Sequence, residues 1–256
     1  MKKFIGIVLP FVVVQILIST NVINSYLQAT LATICINIIL AASLNLITGF
    51  TGQFSLGHAG FMSIGAYICA LILLRFPTLP GFLAGLLAGA VLAALVGILV
   101  GLPTLRLKGD YLAIATLGMS EIIRVVFTNL EITNGAAGLS GIPQFVNWFW
   151  LYLFSVGTVL LLLNFLNSSH GRACISIRED EMAAESVGIS VTKYKVIAFT
   201  VGAFCAGIAG GLYASYFYFL KPGTFGFLKS IDVLVIVVLG GMGSMSGSIL
   251  AAVLLA

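Results

Sequence analysis

Between Lys3 and Arg106 the chain carries a single charged side chain, Arg75. A soluble fold needs a charged surface, and roughly a quarter of an average soluble domain is Asp, Glu, Lys or Arg. Here the charged share is 8%, against 60% hydrophobic residues and a mean hydropathy of +1.17. The apolar runs are too long, and alternate too little, for the strands of a transmembrane barrel. Helices remain, because a helix satisfies its own backbone in lipid. The chain therefore reads as an all-α polytopic membrane protein forming one transmembrane domain over 1–256. Runs near the ~20 residues that span a bilayer lie at 4–20, 27–47, 57–75, 81–101, 111–129, 147–166, 195–219 and 230–256, about eight helices. Gly240 to Gly247 could divide the last run into two shorter helices.

The N-terminal Met-Lys-Lys and the apolar Phe4 to Ile18 have the layout of a signal peptide but no small-x-small cleavage site, so they are read as an uncleaved first span. With the N-terminus in the cytoplasm, the alternation places Lys2, Lys3, Arg106, Lys108, Arg172, Arg178, Lys193 and Lys195 inside and only Arg75, Lys221 and Lys229 outside. That excess follows the positive-inside rule. The net charge of +4 is thus a topology signal, and no nucleic-acid partner is implied.

The stretch from Thr48 to Gly60 combines four glycines with several hydroxyls and almost no charge. It suits neither a continuous helix nor a water-exposed loop, and a broken or re-entrant element at membrane depth is expected near 48–60. Gly49, Gly52, Gln53, Ser55, Gly57 and His58 could face a translocation path, or the glycines could simply allow close backbone packing. Gly81, Gly85 and Gly89 repeat at spacing four and predict tight helix contact. Asp110 is placed to cap the next helix, in which Glu121 and Arg124 share a face as a structural pair or as part of a pathway or subunit interface. The turn-rich Asn134 to Pro143 is a connection or a docking surface, followed by Trp148 and Trp150 at an expected interfacial belt.

Cys35, Cys69, Cys174 and Cys205 stand far apart, so neither a disulfide framework nor a metal site is suggested. There is no Walker sequence, no H-E-x-x-H and no G-x-S-x-G, and catalysis or a cofactor in this chain is not expected.

One segment breaks the apolar pattern. Residues 171–211 hold Arg172, Arg178, Glu179, Asp180, Glu181, Glu185, Lys193 and Lys195, eight of the twenty charged residues. Arg178 to Val187 predicts a short cytoplasmic helix with its acidic residues at the N-terminal end, closed by Gly188. Ala183 and Ala184 are small enough to sit in another protein's cleft.

REDEMAAESVGI resembles the cytoplasmic coupling motif of ATP-binding-cassette importer permeases, Glu-Ala-Ala, three residues, Gly. Ala183, Ala184 and Gly188 match it, Met182 stands at the Glu position and the downstream Ile-x-Leu-Pro is absent. TGFTGQFSLGHAGFMSIGAY (48–67), LRLKGDYLAIATLGMSEIIR (105–124), GLSGIP (138–143) and FCAGIAGGLYA (204–214) are similar to the branched-chain amino acid permease family, in its larger-subunit branch. The resemblance implies a bacterial or archaeal plasma-membrane permease paired with a second, related permease, two cytoplasmic ATPase subunits and an external solute-binding protein. It implies leucine, isoleucine or valine as substrate, although relatives carry urea, amides or other amino acids. It assigns ATPase coupling to Arg178, Glu179, Asp180, Glu181, Ala183, Ala184, Glu185 and Gly188. Family members continue beyond the point where this chain ends, at Ala256, so truncation is expected. The competing class is an ion- or proton-coupled transporter using Glu121, Arg124 and the broken element.

Overall fold

The computed structural model describes residues 2–20, 24–104, 107 and 109–256, and over 2–10 the backbone only. Arg106 and Lys108, the expected stop to the fourth span, lie outside the described residues. The helices are α1 (Lys2–Ser19), α2 (Ser25–Asn45), α3 (His58–Arg75), α4 (Leu79–Thr104), α5 (Asp110–Asn129), α6 (Trp148–Asn167), α7 (Ser169–Glu179), α8 (Glu181–Ser186), α9 (Val191–Phe217), α10 (Phe227–Gly240) and α11 (Met245–Leu254). A π-helical turn, Leu46–Phe50, extends α2. Among the described residues six helices are long and apolar enough to cross a membrane: Ser25–Phe50, α3, α4, α5, α6 and α9.

Lipid tails are as apolar as leucine, so membrane helices associate through close van der Waals contact rather than hydrophobic burial. The centre of the bundle is built that way. A Cβ on Gly65 of α3 would lie 2.5 Å from the Cα of Gly207 in α9, one on Gly207 would lie 2.8 Å from the Cα of Ala90 in α4, and one on Gly89 would lie 3.1 Å from the Cα of Gly65. Three backbones therefore meet at one level, where only hydrogen fits between them. Around this contact Phe61 meets Phe199 edge-on at 5.4 Å, and Tyr67 stacks on Phe127 of α5 at 4.4 Å.

Of the two readings of 230–256, the divided one holds: α10 and α11 have 14 and 10 residues, separated by a turn in which Gly241 and Gly243 take φ of +90° and +86°. Side-chain-bearing residues avoid that region, so the glycines enforce the reversal. Asp110 does not cap α5; it is the first helical residue, and Gly109, φ +58°, holds the cap position. The loop after α5 is also more ordered than a connection: Leu139–Ser140 forms strand β1, paired antiparallel with β2 (Phe219–Leu220).

Candidate functional site

The helical path breaks after Phe50 and resumes at His58. Across the break the side chains alternate: Thr51, Gln53, Ser55 and Gly57 are buried, whereas Gly52 and Phe54 are exposed. This is an extended segment whose polar residues point into the bundle, where polar groups need partners. The Leu56 N–H donates to Thr116 Oγ1 at 3.0 Å and the Ala59 N–H to Ser230 Oγ at 3.2 Å. The His58 ring shares a 2.8 Å hydrogen bond with Ser43 Oγ, and the Gln53 amide donates to the Lys195 carbonyl at 3.4 Å. Gly57 lies flush on α5, where a Cβ would come 2.6 Å from the Thr116 carbonyl oxygen.

A second polar knot joins α2 to the α10–α11 turn. Asn45, fully buried, donates through Nδ2 to the Ser244 carbonyl at 2.9 Å and to Ser248 Oγ at 2.8 Å, and its Oδ1 accepts from the Gly243 N–H at 2.8 Å.

The charged segment folds as two helices where one was expected. Ser168 opens α7, its Oγ accepting from the Gly171 N–H at 3.3 Å. The buried face of α7 is Gly171, Ala173, Cys174 and Ile177. Burial pushes the Cys174 thiol up to about 11. The chain then turns at Asp180, which has extended backbone and whose Oδ1 accepts from the N–H groups of Met182 (2.8 Å) and Ala183 (3.1 Å). A side-chain cap of this kind starts a helix where an acidic run would otherwise continue the previous one. Arg178 and Glu179 thus end α7 instead of opening the 178–188 helix. The closure at Gly188 is as expected: φ is +86°, its N–H donates to the Glu185 carbonyl at 2.9 Å, and the Ile189 N–H donates to the Ala184 carbonyl at 3.0 Å. These paired bonds are a Schellman closure.

The two alanines do not act alike. Ala184 is 3% exposed and packs with Ile177 of α7 and Val191 of α9, so its small size serves this chain's own packing. Ala183 is exposed, beside Met182 at 72% and Val187 at 76% exposure. Glu185 is exposed as well, while Glu181 is ion-paired with Lys195 of α9.

Of the residues considered for a translocation path, Gly49, Gln53, Ser55, Gly57 and His58 are buried together around the break, and Gly52 is exposed. Glu121 and Arg124 form a 2.7 Å ion pair on α5, each about a third exposed (31% and 33%). Sequence reading missed Ser43, Asn45, Thr116, Ser230 and Ser244, which hold the break and the turn. For Ser43, Asn45, Thr116 and Ser230 the signal was a polar residue inside an apolar run, which in lipid must find a partner on another helix; Ser244 contributes its main-chain carbonyl.

Residues 26–256 match the family model described as branched-chain amino acid transport system / permease component. Over 255 positions the chain is 42% identical to the high-affinity branched-chain amino acid transport system permease protein LivM of Salmonella typhimurium, covering 86% of this chain and 60% of that protein. It is 32% identical over 158 positions to the probable LivM permease of Methanocaldococcus jannaschii (57% of this chain, 46% of that one). To the permease protein LivH of Escherichia coli K12 it is 24% identical over 246 positions (85% and 78%). The chain thus spans about 60% of the length of the LivM relative from Salmonella. No solved structure gives a significant match. The chain belongs to the branched-chain amino acid transport system permease family.

Proposed function

We propose that this chain is one permease subunit of an ATP-binding-cassette importer for leucine, isoleucine and valine. It pairs with a second, related permease in a bacterial or archaeal plasma membrane, with its N-terminus in the cytoplasm. Two ATPase subunits dock from the cytoplasm and an external binding protein delivers substrate; this chain binds no metal or cofactor of its own. The resemblance of relatives named LivM and LivH supports the pairing.

The observation that carries the reading is α8. A six-residue helix is too short to be stable alone, yet this one is capped at both ends and presents Met182, Ala183 and Val187 to the outside. Exposed apolar side chains on a charged segment suit a groove in a partner. Movement of α8 by the ATPases would reach α9 through the Glu181–Lys195 ion pair and the packing of Ala184. Switching of this kind requires different contacts in the two states.

The test is leucine uptake by the assembled importer in proteoliposomes, with Ala183→Glu as the variant. Wild-type uptake is expected to require ATP, and Ala183→Glu to abolish uptake and ATPase copurification while membrane insertion is unchanged. Ala184→Glu is a poorer probe because it would disrupt α7–α8–α9 packing. Uptake driven by an ion gradient without ATPases would sink the importer reading in favour of a secondary transporter.

A further inference from the structure

One side chain at the end of α7 turns away from the exposed face of α8 and into the junction beneath it. Arg178 Nη1 donates to the Gly49 carbonyl at 2.8 Å. That carbonyl belongs to the π-helical turn ending α2, where carbonyls lack intrahelical partners and the helix dipole favours a cation. The Arg178 Nε and Nη2 both donate to Glu179 Oε1, at 3.1 and 2.6 Å, so the guanidinium plane is fixed by its neighbour. A planar fork held in this way has little freedom left to lose.

The space around it is made by glycines. A Cβ on Gly52 would lie 3.2 Å from Arg178 Cγ, and one on Gly243 would lie 2.6 Å from Nη1. Both have positive φ, +71° and +86°. Gly243 is in turn bonded to Asn45, and a Cβ on Gly49 would strike Asn45 and the Gly243 backbone. One arginine side chain therefore lies against the π-turn through its guanidinium, against Gly52 through its Cγ and against Gly243 of the α10–α11 turn, which are far apart in sequence.

We propose that Arg178 is a positioning residue, a strut that carries displacement of α8 to the break at 51–57 and to the α10–α11 turn. It acts inside this chain and does not contact the ATPase. The ion pair with Glu179 joins sequence neighbours and cannot itself tie elements together; it aims the guanidinium. The proposal rests on the coupling role of α8 proposed above.

The experiment compares leucine transported per ATP hydrolysed in the complete reconstituted complex. Arg178→Ala is expected to leave assembly and ATPase rate within about twofold of wild type. It should lower the transport ratio about ten- to a hundredfold, the scale of one hydrogen bond to a charged group. Arg178→Lys, one donor without the fork, should recover part of the ratio. Gly243→Ala should uncouple in the same way by displacing the guanidinium, with no further loss when combined with Arg178→Ala. A wild-type ratio in a stable Arg178→Ala complex overturns the strut, as does a parallel fall of uptake and ATPase rate, which would place Arg178 in docking. If Arg178→Ala does not assemble, Arg178→Lys decides: a lowered ratio supports the strut and a wild-type ratio overturns it. Uptake by the unmodified complex without ATP hydrolysis overturns the coupling reading as well, a result seen before any variant is compared.

Discussion

Two groups of glycines do opposite work in this molecule. Gly65, Gly89 and Gly207 let the backbones of α3, α4 and α9 touch in a buried contact. Gly49, Gly52 and Gly243 instead leave room for a cation and its hydrogen bonds, at a site where the Arg178 side chain is 37% exposed. A contact of interlocked backbones has one geometry, since close-packed interiors resist small deformations. A hydrogen-bonded cradle open to water is a weaker restraint, since each bond to a charged group contributes only about 1.5–3 kcal/mol net. The same residue type therefore marks a rigid block in one place and a joint in the other.

The largest effect that would sharpen this contrast is expected at Gly65. Gly65→Val places a branched side chain against the Gly207 backbone, whose Cα and carbonyl carbon would lie 2.5 and 2.6 Å from the new Cβ, so nothing flexible is there to yield. The cost should exceed the ~1–3 kcal/mol of ordinary overpacking. Near-complete loss of monodisperse protein on size exclusion in mild detergent is the expected result. A variant that elutes and melts like wild type would mean that α3 and α9 can separate, and that the block is not rigid.

How much of this could be read beforehand depends on whether the cause was local. The apolar runs of α2 to α6 and α9 were legible because lipid imposes length and composition on each span separately. Gly188 was legible because a helix closure is chemistry within five residues. The interruption at 51–57 falls inside the stretch 48–60 that its glycines and hydroxyls marked, although Gly49 and Gly60 of that stretch are themselves helical. What sequence could not place was partnership. Nothing near Asn45 says that it meets Gly243, 198 residues away. The resemblance assigns Arg178 to ATPase coupling, and nothing in the motif shows that its Nη1 meets the Gly49 carbonyl, 129 residues away. In the sequence Asp180 is one acid among three, and only its extended backbone and side-chain cap show that it divides α7 from α8.

A smaller effect is expected at the knot beside the joint. Asn45→Ala leaves the Gly243 N–H and the Ser244 carbonyl without this partner. Unsatisfied buried groups cost about 1–3 kcal/mol, so a loss of about 2 kcal/mol should lower the melting temperature by roughly 4–8 °C in a chain of this size. Asn45→Asp should not rescue it, because a second carboxylate oxygen would face the Ser244 carbonyl. Differential scanning fluorimetry in detergent measures both. A collapse as complete as that of Gly65→Val would erase the distinction between block and joint, since the joint would then be equally indispensable to folding.

The smallest effect should come from Gly188, where a methyl group meets open space and the penalty is purely conformational. No atom lies within 4 Å of a Cβ built there, but φ is +86°. A left-handed backbone costs an L-residue roughly 1–2 kcal/mol, and asparagine tolerates it better than alanine. Gly188→Ala should therefore loosen the Schellman closure of α8 while the bundle melts as before. Hydrogen–deuterium exchange at Gly188 and Ile189 should quicken by about 5–30-fold, the population change that such a cost produces, and Gly188→Asn should stay closer to wild type. If Gly188→Ala instead lowers global melting as far as Asn45→Ala does, α8 is not a separable appendage riding on the joint. It would then be part of the block, and a helix fixed in that way could not be moved by anything that docks on Met182 and Val187.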